Sequence, residues 1–358
     1  MVRIFGYGMK SPKGSNYPYV TARVRAKKAQ LLSPDTYPKL LARDVHEIAR
    51  TLQEGGYGAE IDHFAGKASG ALLIERATRL NLGRTYAQIL DMCEGELKVM
   101  VGLYLERYDV YNLKTILRGK FAGMTSENII TELVPTGSIP LARLEQLARQ
   151  DTLLDVIQQL RDTPYGRGIQ TALGETAGQP PASLVEVENA IDRTFYEHIA
   201  AGFRASDKST RAFLAFLQRE VDVQNLRTLL RLKEAGIADY EPYFIDGGAS
   251  LTREKAGRIM RATRDEFAAE IAKLKFGPRL EEGVRAYLDG SGLNPLITAL
   301  DKALIESADD FGHVAPLSVL PVIDYILRKK VEVDNLRIIA HGKESGLPDE
   351  VIEGLLIL

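Results

Sequence analysis

The densest group of potentially reactive side chains is Glu188, Asp192, Glu197 and His198, which fall within eleven residues of one another. Carboxylates and imidazoles on helices can hold a di-iron centre, but that chemistry needs a Glu-x-x-His motif repeated on two helices. The chain does not repeat that motif, so the group reads as a solvated helix face. The other histidines, His46, His63, His313 and His341, are scattered without metal-ligand spacing. Cys93 has no neighbouring His or basic helix start to activate its thiol. As the lone cysteine it also excludes an internal disulfide, which suits a reducing compartment. The fragment Gly6-Tyr-Gly8-Met-Lys10-Ser11 resembles a phosphate loop but lacks the four-residue gap before Gly-Lys-Ser, and reads as an N-terminal turn. No nucleophile elbow occurs. These residues lead to the expectation of no catalytic residue, no cofactor and no metal, with an enzyme using an unrecognised carboxylate site at Glu188 to His198 as the remaining alternative.

A different pattern returns three times: an acid, two residues, Asn-Leu, a base, five residues, Lys, two residues, Gly. The copies are Asp109-Val-Tyr-Asn112-Leu-Lys114 to Gly123, Asp222-Val-Gln-Asn225-Leu-Arg227 to Gly236, and Glu332-Val-Asp-Asn335-Leu-Arg337 to Gly346. A second signature, an aliphatic residue followed five positions later by aromatic-Gly, gives Leu52 with Tyr57-Gly58, Leu160 with Tyr165-Gly166 and Ile271 with Phe276-Gly277. Both signatures recur at the same interval of about 110 residues, and a fixed period of this size means one unit built three times. It predicts pseudo-threefold geometry.

The elements that carry these motifs are helices. Apolar residues recur three and four apart, as in Leu40-Leu41-Val45-Ile48-Leu52 and Leu153-Val156-Ile157-Leu160, and Leu, Ala, Arg, Glu and Lys dominate while Trp is absent. With 45% hydrophobic and 26% charged residues, the 358-residue chain has the make-up of a folded protein and room for three domains. The fold class is all-α, with three similar helical units. The Gly/Pro/Ser/Thr-bearing stretches Val134–Pro140 and Asp246–Ser250 mark the joints, giving units at 1–133 (with a basic N-terminal helix), 134–247 and 248–358. Gly123, Gly236 and Gly346 each close a motif helix, because glycine adopts the left-handed conformation that ends one.

On a helical wheel, Leu113, Ile116, Leu117 and Val110 form one apolar sector that contains Asp109 and is edged by Asn112. The other copies behave alike, so Asp109, Asn112, Asp222, Asn225, Glu332 and Asn335 form a structural motif. A buried Asn or Asp must be hydrogen-bonded, and the simplest role for each Asn is to tie its helix to a neighbouring helix or loop. Lys114, Arg118, Arg227, Arg231, Arg337 and His341 point the other way and are the candidate partner contacts. His341 stands where the first two copies have Arg.

Net charge is −2, which argues against a general polyanion binder. The segment up to Pro34 nonetheless holds Arg3, Lys10, Lys13, Arg23, Arg25, Lys27 and Lys28 and no acid, an end that suits phosphate, lipid head groups or an acidic protein surface. In the helix that this segment carries, Ala22, Ala26 and Ala29 form a small-residue stripe, which predicts a helix sandwiched between neighbours. Interleaved exposed aromatics are lacking, so nucleic acid is not an expected partner. No apolar run reaches the roughly 20 residues that cross a bilayer, and the N-terminus does not read as a secretory signal.

The run Tyr17-Pro-Tyr19-Val-Thr-Ala-Arg23-Val-Arg25-Ala-Lys27-Lys28-Ala-Gln-Leu31-Leu32, the turn Glu54-Gly-Gly-Tyr57 and the three Asp/Glu-x-x-Asn-Leu-Lys/Arg helices ending in Gly together resemble the C subunit of archaeal and bacterial A-type ATP synthases. That family is similar to the d subunit of vacuolar proton pumps. The resemblance implies a funnel of three helical units about a pseudo-threefold axis and a non-catalytic central-stalk rotor subunit. Such a subunit is a socket between the membrane proteolipid ring and the rotating shaft, and links H+ or Na+ transport to ATP synthesis or hydrolysis. Implied partners are the ring and shaft subunits, with no small-molecule substrate. The implied location is the cell membrane, peripherally on its cytoplasmic side. A general helical-repeat interaction scaffold is the alternative, though repeats of about 110 residues are long for a solenoid.

Overall fold

The computed structural model describes residues 14–174, 178–179, 181–202 and 207–358. The Gly6–Ser11 fragment and Arg3, Lys10 and Lys13 lie outside them. The described residues form nineteen α-helices and no strand. They make two compact units: residues 14–17 with 85–202, and residues 18–84 with 207–358.

In chain order the helices are α1 (Tyr17–Lys28), α2 (Thr36–Leu41), α3 (Val45–Glu54), α4 (Gly58–Phe64) and α5 (Gly70–Met92), the last passing from the larger unit into the smaller. The smaller unit continues with α6 (Gly95–Leu105), α7 (Arg107–Phe121), α8 (Ser126–Thr131), α9 (Leu141–Ala148), α10 (Leu153–Gln159), α11 (Pro164–Leu173) and α12 (Val185–Ala201). The larger unit resumes with α13 (Lys208–Glu234), α14 (Arg253–Arg261), α15 (Arg264–Ala272), α16 (Glu281–Leu288), α17 (Asn294–Val314), α18 (Leu320–Glu344) and α19 (Asp349–Glu353). The smaller unit thus contains one motif helix, α7, and the larger contains two, α13 and α18.

Each motif helix stops in the same way. Gly123, Gly236 and Gly346 have φ of 69°, 70° and 69°, and the amide of the next residue reaches back to the carbonyl of Gly119, Leu232 or Gly342 at 2.8, 2.9 and 2.9 Å. These are Schellman closures, which satisfy carbonyls that a helix end leaves open. The aromatic-Gly signature also has one cause. A Cβ added at Gly58, Gly166 or Gly277 would lie 2.5, 2.0 or 2.3 Å from the carbonyl oxygen of Gln53, Leu160 or Ile271. Only glycine lets the chain fold back that closely, and doing so drives Tyr57, Tyr165 and Phe276 into the interior at 3%, 4% and 1% exposure.

Among the described residues, each motif helix of the larger unit packs into a hydrophobic core. Leu226, Leu229 and Leu230 of α13 pack with Leu251, Ile259, Phe267, Phe276 and Leu300, all of which follow α13 in sequence. Leu336, Ile339 and Ala340 of α18 pack instead with Leu40, Ile48, Leu52, Tyr57, Ile61 and Ile74, together with Ile352 and Leu356. Helices α2 to α5 therefore stand to α18 as α14 to α17 stand to α13. One expectation for α1 is corrected: Val20 and Val24 are buried, but Ala22, Ala26 and Ala29 are exposed, so the alanine stripe faces away from the fold and does not seat a neighbour. Within the described residues the helix buries a single face.

Two glycine substitutions should separate space from backbone strain. Gly166→Ala forces main chain apart and should cost several kcal/mol, as overpacking with backbone shifts does. Gly123→Ala has nothing within 4 Å of the added carbon and pays only the left-handed conformation, about 1–2 kcal/mol. Thermal melts should show the larger drop in Tm for Gly166→Ala; equal drops would refute the close-approach account.

Candidate functional site

The repeated acid and asparagine build three copies of one anchor. Asn112 donates from Nδ2 to the Val134 carbonyl at 2.8 Å and accepts from the Val134 amide at 2.8 Å. Asn225 does the same with Ile245 at 2.7 and 2.8 Å, and Asn335 with Ile357 at 2.8 and 3.0 Å. A carboxamide is the one short side chain that offers a donor and an acceptor side by side, so it substitutes for a strand-like main-chain partner.

The acid one turn earlier holds the next stretch of loop. Asp109 accepts from the Ser138 amide at 2.7 Å, the Ser138 hydroxyl at 2.8 Å and the Ile139 amide at 3.0 Å. Asp222 accepts from the Ser250 amide at 2.8 Å, its hydroxyl at 2.9 Å and the Leu251 amide at 3.0 Å. Burial pushes the Asp109 carboxyl above its ordinary range, and these three donors oppose the shift. Gly137 and Gly248 make room, because a Cβ at either would sit 2.1 Å from an Asp oxygen.

The third anchor is assembled from distant parts of the chain. Glu332 accepts from the Leu32 amide at 2.5 Å, the Tyr57 hydroxyl at 2.6 Å and Lys329 Nζ at 2.8 Å. Lys329 also donates to Tyr57 Oη at 2.9 Å and lies 4.3 Å from its ring centroid. The longer Glu reaches donors that no residue of its own loop supplies, and burial with the Glu332 charge holds the Tyr57 phenol well above its usual range.

The basic set is drawn into ion pairs with the last helix of each copy. Lys114 pairs with Asp192 at 2.5 Å, and Arg118 forms a two-point pair with Glu188 at 2.5 Å in each bond. Arg227 pairs with Asp301 of α17. His341 Nε2 lies 2.9 Å and Arg337 Nη1 3.8 Å from Glu75 of α5. Arg231 is exposed and forms no ion pair among the described residues. The Glu188 to His198 group is corrected from a solvated face: Glu188 and Asp192 are half-buried and answer α7, His198 Nε2 is 3.5 Å from Glu106, and Glu197 is exposed. Among the described residues, no three or more His, Cys, Asp or Glu side chains converge as a metal site. Cys93 is buried, which pushes its thiol up to about 12.

The sequence pattern did not single out Ser138, Ser250, Gly137, Gly248, Asp301 or Glu75. The signal was present for the first four: in the first two copies a Gly-bearing turn with Ser follows the acid at almost the same interval. Asp301 and Glu75 carry no local mark, because their role arises only when two helices dock.

Fold and anchors define an all-helical protein built on one repeated, internally braced unit. The chain belongs to the ATP synthase (C/AC39) subunit family, whose model matches residues 20–355. Proteins named as the C subunit of an A-type ATP synthase are similar over nearly the whole length. That of Halorubrum lacusprofundi is 38% identical over 352 residues, covering 98% of this chain and 100% of the relative. Those of Methanosarcina acetivorans and Haloferax volcanii are each 36% identical, covering 98% of this chain and 95% and 100% of the relatives. The resemblance carried by the Tyr17–Leu32 run and the three Asn-Leu helices thus extends across the chain.

Replacing an anchor asparagine leaves a main-chain amide and carbonyl unpaired. Asn225→Ala should therefore cost about 2–6 kcal/mol, at roughly 1–3 kcal/mol per orphaned group. Asn335→Ala should cost less, because Ile357 is half-exposed and water can replace the lost bonds. Differential scanning calorimetry should rank the two in that order, and a reversed rank would refute the burial argument.

Proposed function

We propose that this ATP synthase subunit is a non-catalytic rotor element of the central stalk. In this reading its three anchored copies are arranged with pseudo-threefold symmetry as a funnel. The funnel serves as a socket that couples the membrane proteolipid ring to the rotating shaft, so that H+ or Na+ transport is linked to ATP synthesis or hydrolysis. The observation that carries the proposal is the threefold recurrence of one mechanical joint. Each motif helix is tied to a loop through a buried Asn, holds further donors through its acid, and meets its closing helix through an ion pair. A torque-bearing part needs stiff, cross-braced helices and no reactive group.

A peripheral position at the cytoplasmic side of the cell membrane is part of the same proposal. No helix among the described residues is long and apolar enough to cross a membrane. The exposed Arg23 and Arg25 of α1 lie on the acid-free end and suit an anionic neighbour, each base contributing on the order of 1 kcal/mol near a charged surface. Of the six candidate contact residues, Arg231 is the one that forms no ion pair among the described residues, so it is the favoured contact with another subunit.

Affinity purification of the tagged chain from native membranes should bring down both proteolipid ring and shaft subunits. Recovery of neither would sink the proposal. Arg231→Glu should lower that recovery severalfold while leaving Tm within about 1 °C, as exposed substitutions do. A variant that assembles normally would remove Arg231 from the contact set.

A further inference from the structure

Three residues before the anchor acid, the copies diverge. Arg219 precedes Asp222 and Lys329 precedes Glu332, but Glu106 precedes Asp109. In the second and third copies a cation stands over the aromatic of the aromatic-Gly turn: the Arg219 guanidinium is 5.4 Å from the Phe276 centroid, and Lys329 Nζ is 4.3 Å from that of Tyr57. In the first copy the same position of the repeat is a carboxyl, Glu106, 3% exposed. Glu106 lies where α6 gives way to α7, with a right-handed helical backbone (φ −59°, ψ −12°) and helical bonds on both sides.

The charged and titratable groups that face Glu106 come from three directions. Asp109 lies one turn along on α7, Ser138 comes from the loop that Asp109 holds, and His198 Nε2 of α12 is 3.5 Å away. Tyr165 of α11 is buried beside both carboxyls, and they and its burial hold its phenol well above the ordinary range. The nearest basic side chain in sequence, Arg107, stacks on Tyr104 at 3.6 Å. Burial holds the His198 imidazole below its ordinary range, which disfavours its cationic form.

We propose that Glu106 is a proton-controlled latch on the first anchor, and on that anchor alone. Protonated, it sits beside the Asp109 carboxylate and leaves Asp109 free to hold Ser138 and Ile139. Ionised, it adds a second negative charge to the same buried seam, and the hold of α7 on residues 134–139 weakens. Burial, then the Asp109 charge, push the Glu106 carboxyl from 4.5 up to about 8. A carboxyl raised on folding stabilises most below its unfolded value. Stability is therefore lost as pH rises from about 4.5 through about 8, and is level above that.

The test uses the full chain and its own internal control. Hydrogen exchange, corrected for intrinsic rates, is followed at the Ser138 and Ile139 amides and at their counterparts Ser250 and Leu251 between about pH 6 and about pH 9. Protection of the first pair should fall about tenfold or more relative to the second, and Glu106→Gln should abolish the difference. An infrared protonated-carboxyl band present at about pH 6 should be missing in the same variant. Equal behaviour of the two pairs in the natural chain, or a difference that persists in Glu106→Gln, overturns the latch. If the variant fails to fold, the comparison of the two amide pairs in the natural chain decides.

Discussion

A carboxylate cannot be buried without donors, and this constraint organises the molecule. Asp109, Asp222 and Glu332 are at most 4% exposed; the first two take donors from the loop that follows, and Glu332 takes them from Leu32, Tyr57 and Lys329. Because an unpaired buried charge is far costlier than an unpaired amide, the acid permits only one docking of the loop. The neighbouring Asn then fixes the loop's register, since its donor and acceptor match one residue's main chain and no other. Apolar packing supplies most of the favourable energy of such a unit, but packing alone tolerates sliding. The anchor removes that freedom.

The ion pairs to the closing helices act on a second level. Lys114 with Asp192 is largely buried, whereas Arg118 is 62% exposed, so the first pair holds the helices and the second contributes little to stability. Asp192 and Asp301 are each pushed upward by burial and opposed by their cations, Lys114 and Arg227. Positions that face outward on an isolated helical wheel are thus covered once another helix lies against them. Arg231, one turn beyond Arg227, escapes that cover.

Much of this was legible in the sequence, and the reason is local. Helix periodicity, the glycine stops and the aromatic-Gly turns are set by residues within a few positions of one another, and so is the placing of Asp109 and Asn112 on the buried side of α7. The answering groups were less visible. Ser138 and Ser250 carried a weak positional signal, while Glu75 and Asp301 had none, because a surface carboxylate gains meaning only from the helix docked against it. The wheel likewise could not reveal that α18 is completed by α2 to α5. Hydrophobic patterning says which face is buried and not what buries it.

That completion has a consequence for how the chain is made. Leu32 and Glu332 are 300 residues apart, and the core around Tyr57 also waits for Leu336 and Ile339. At ordinary synthesis rates, helices α2 to α4 emerge on the order of 15 s to a minute before α18 exists to cover them. During that interval their apolar faces are exposed, while α13 finds its own partners as soon as α17 is out. Helices α2 to α4 are thus made long before they are buried, and the newborn chain is open to misassociation along them until α18 emerges.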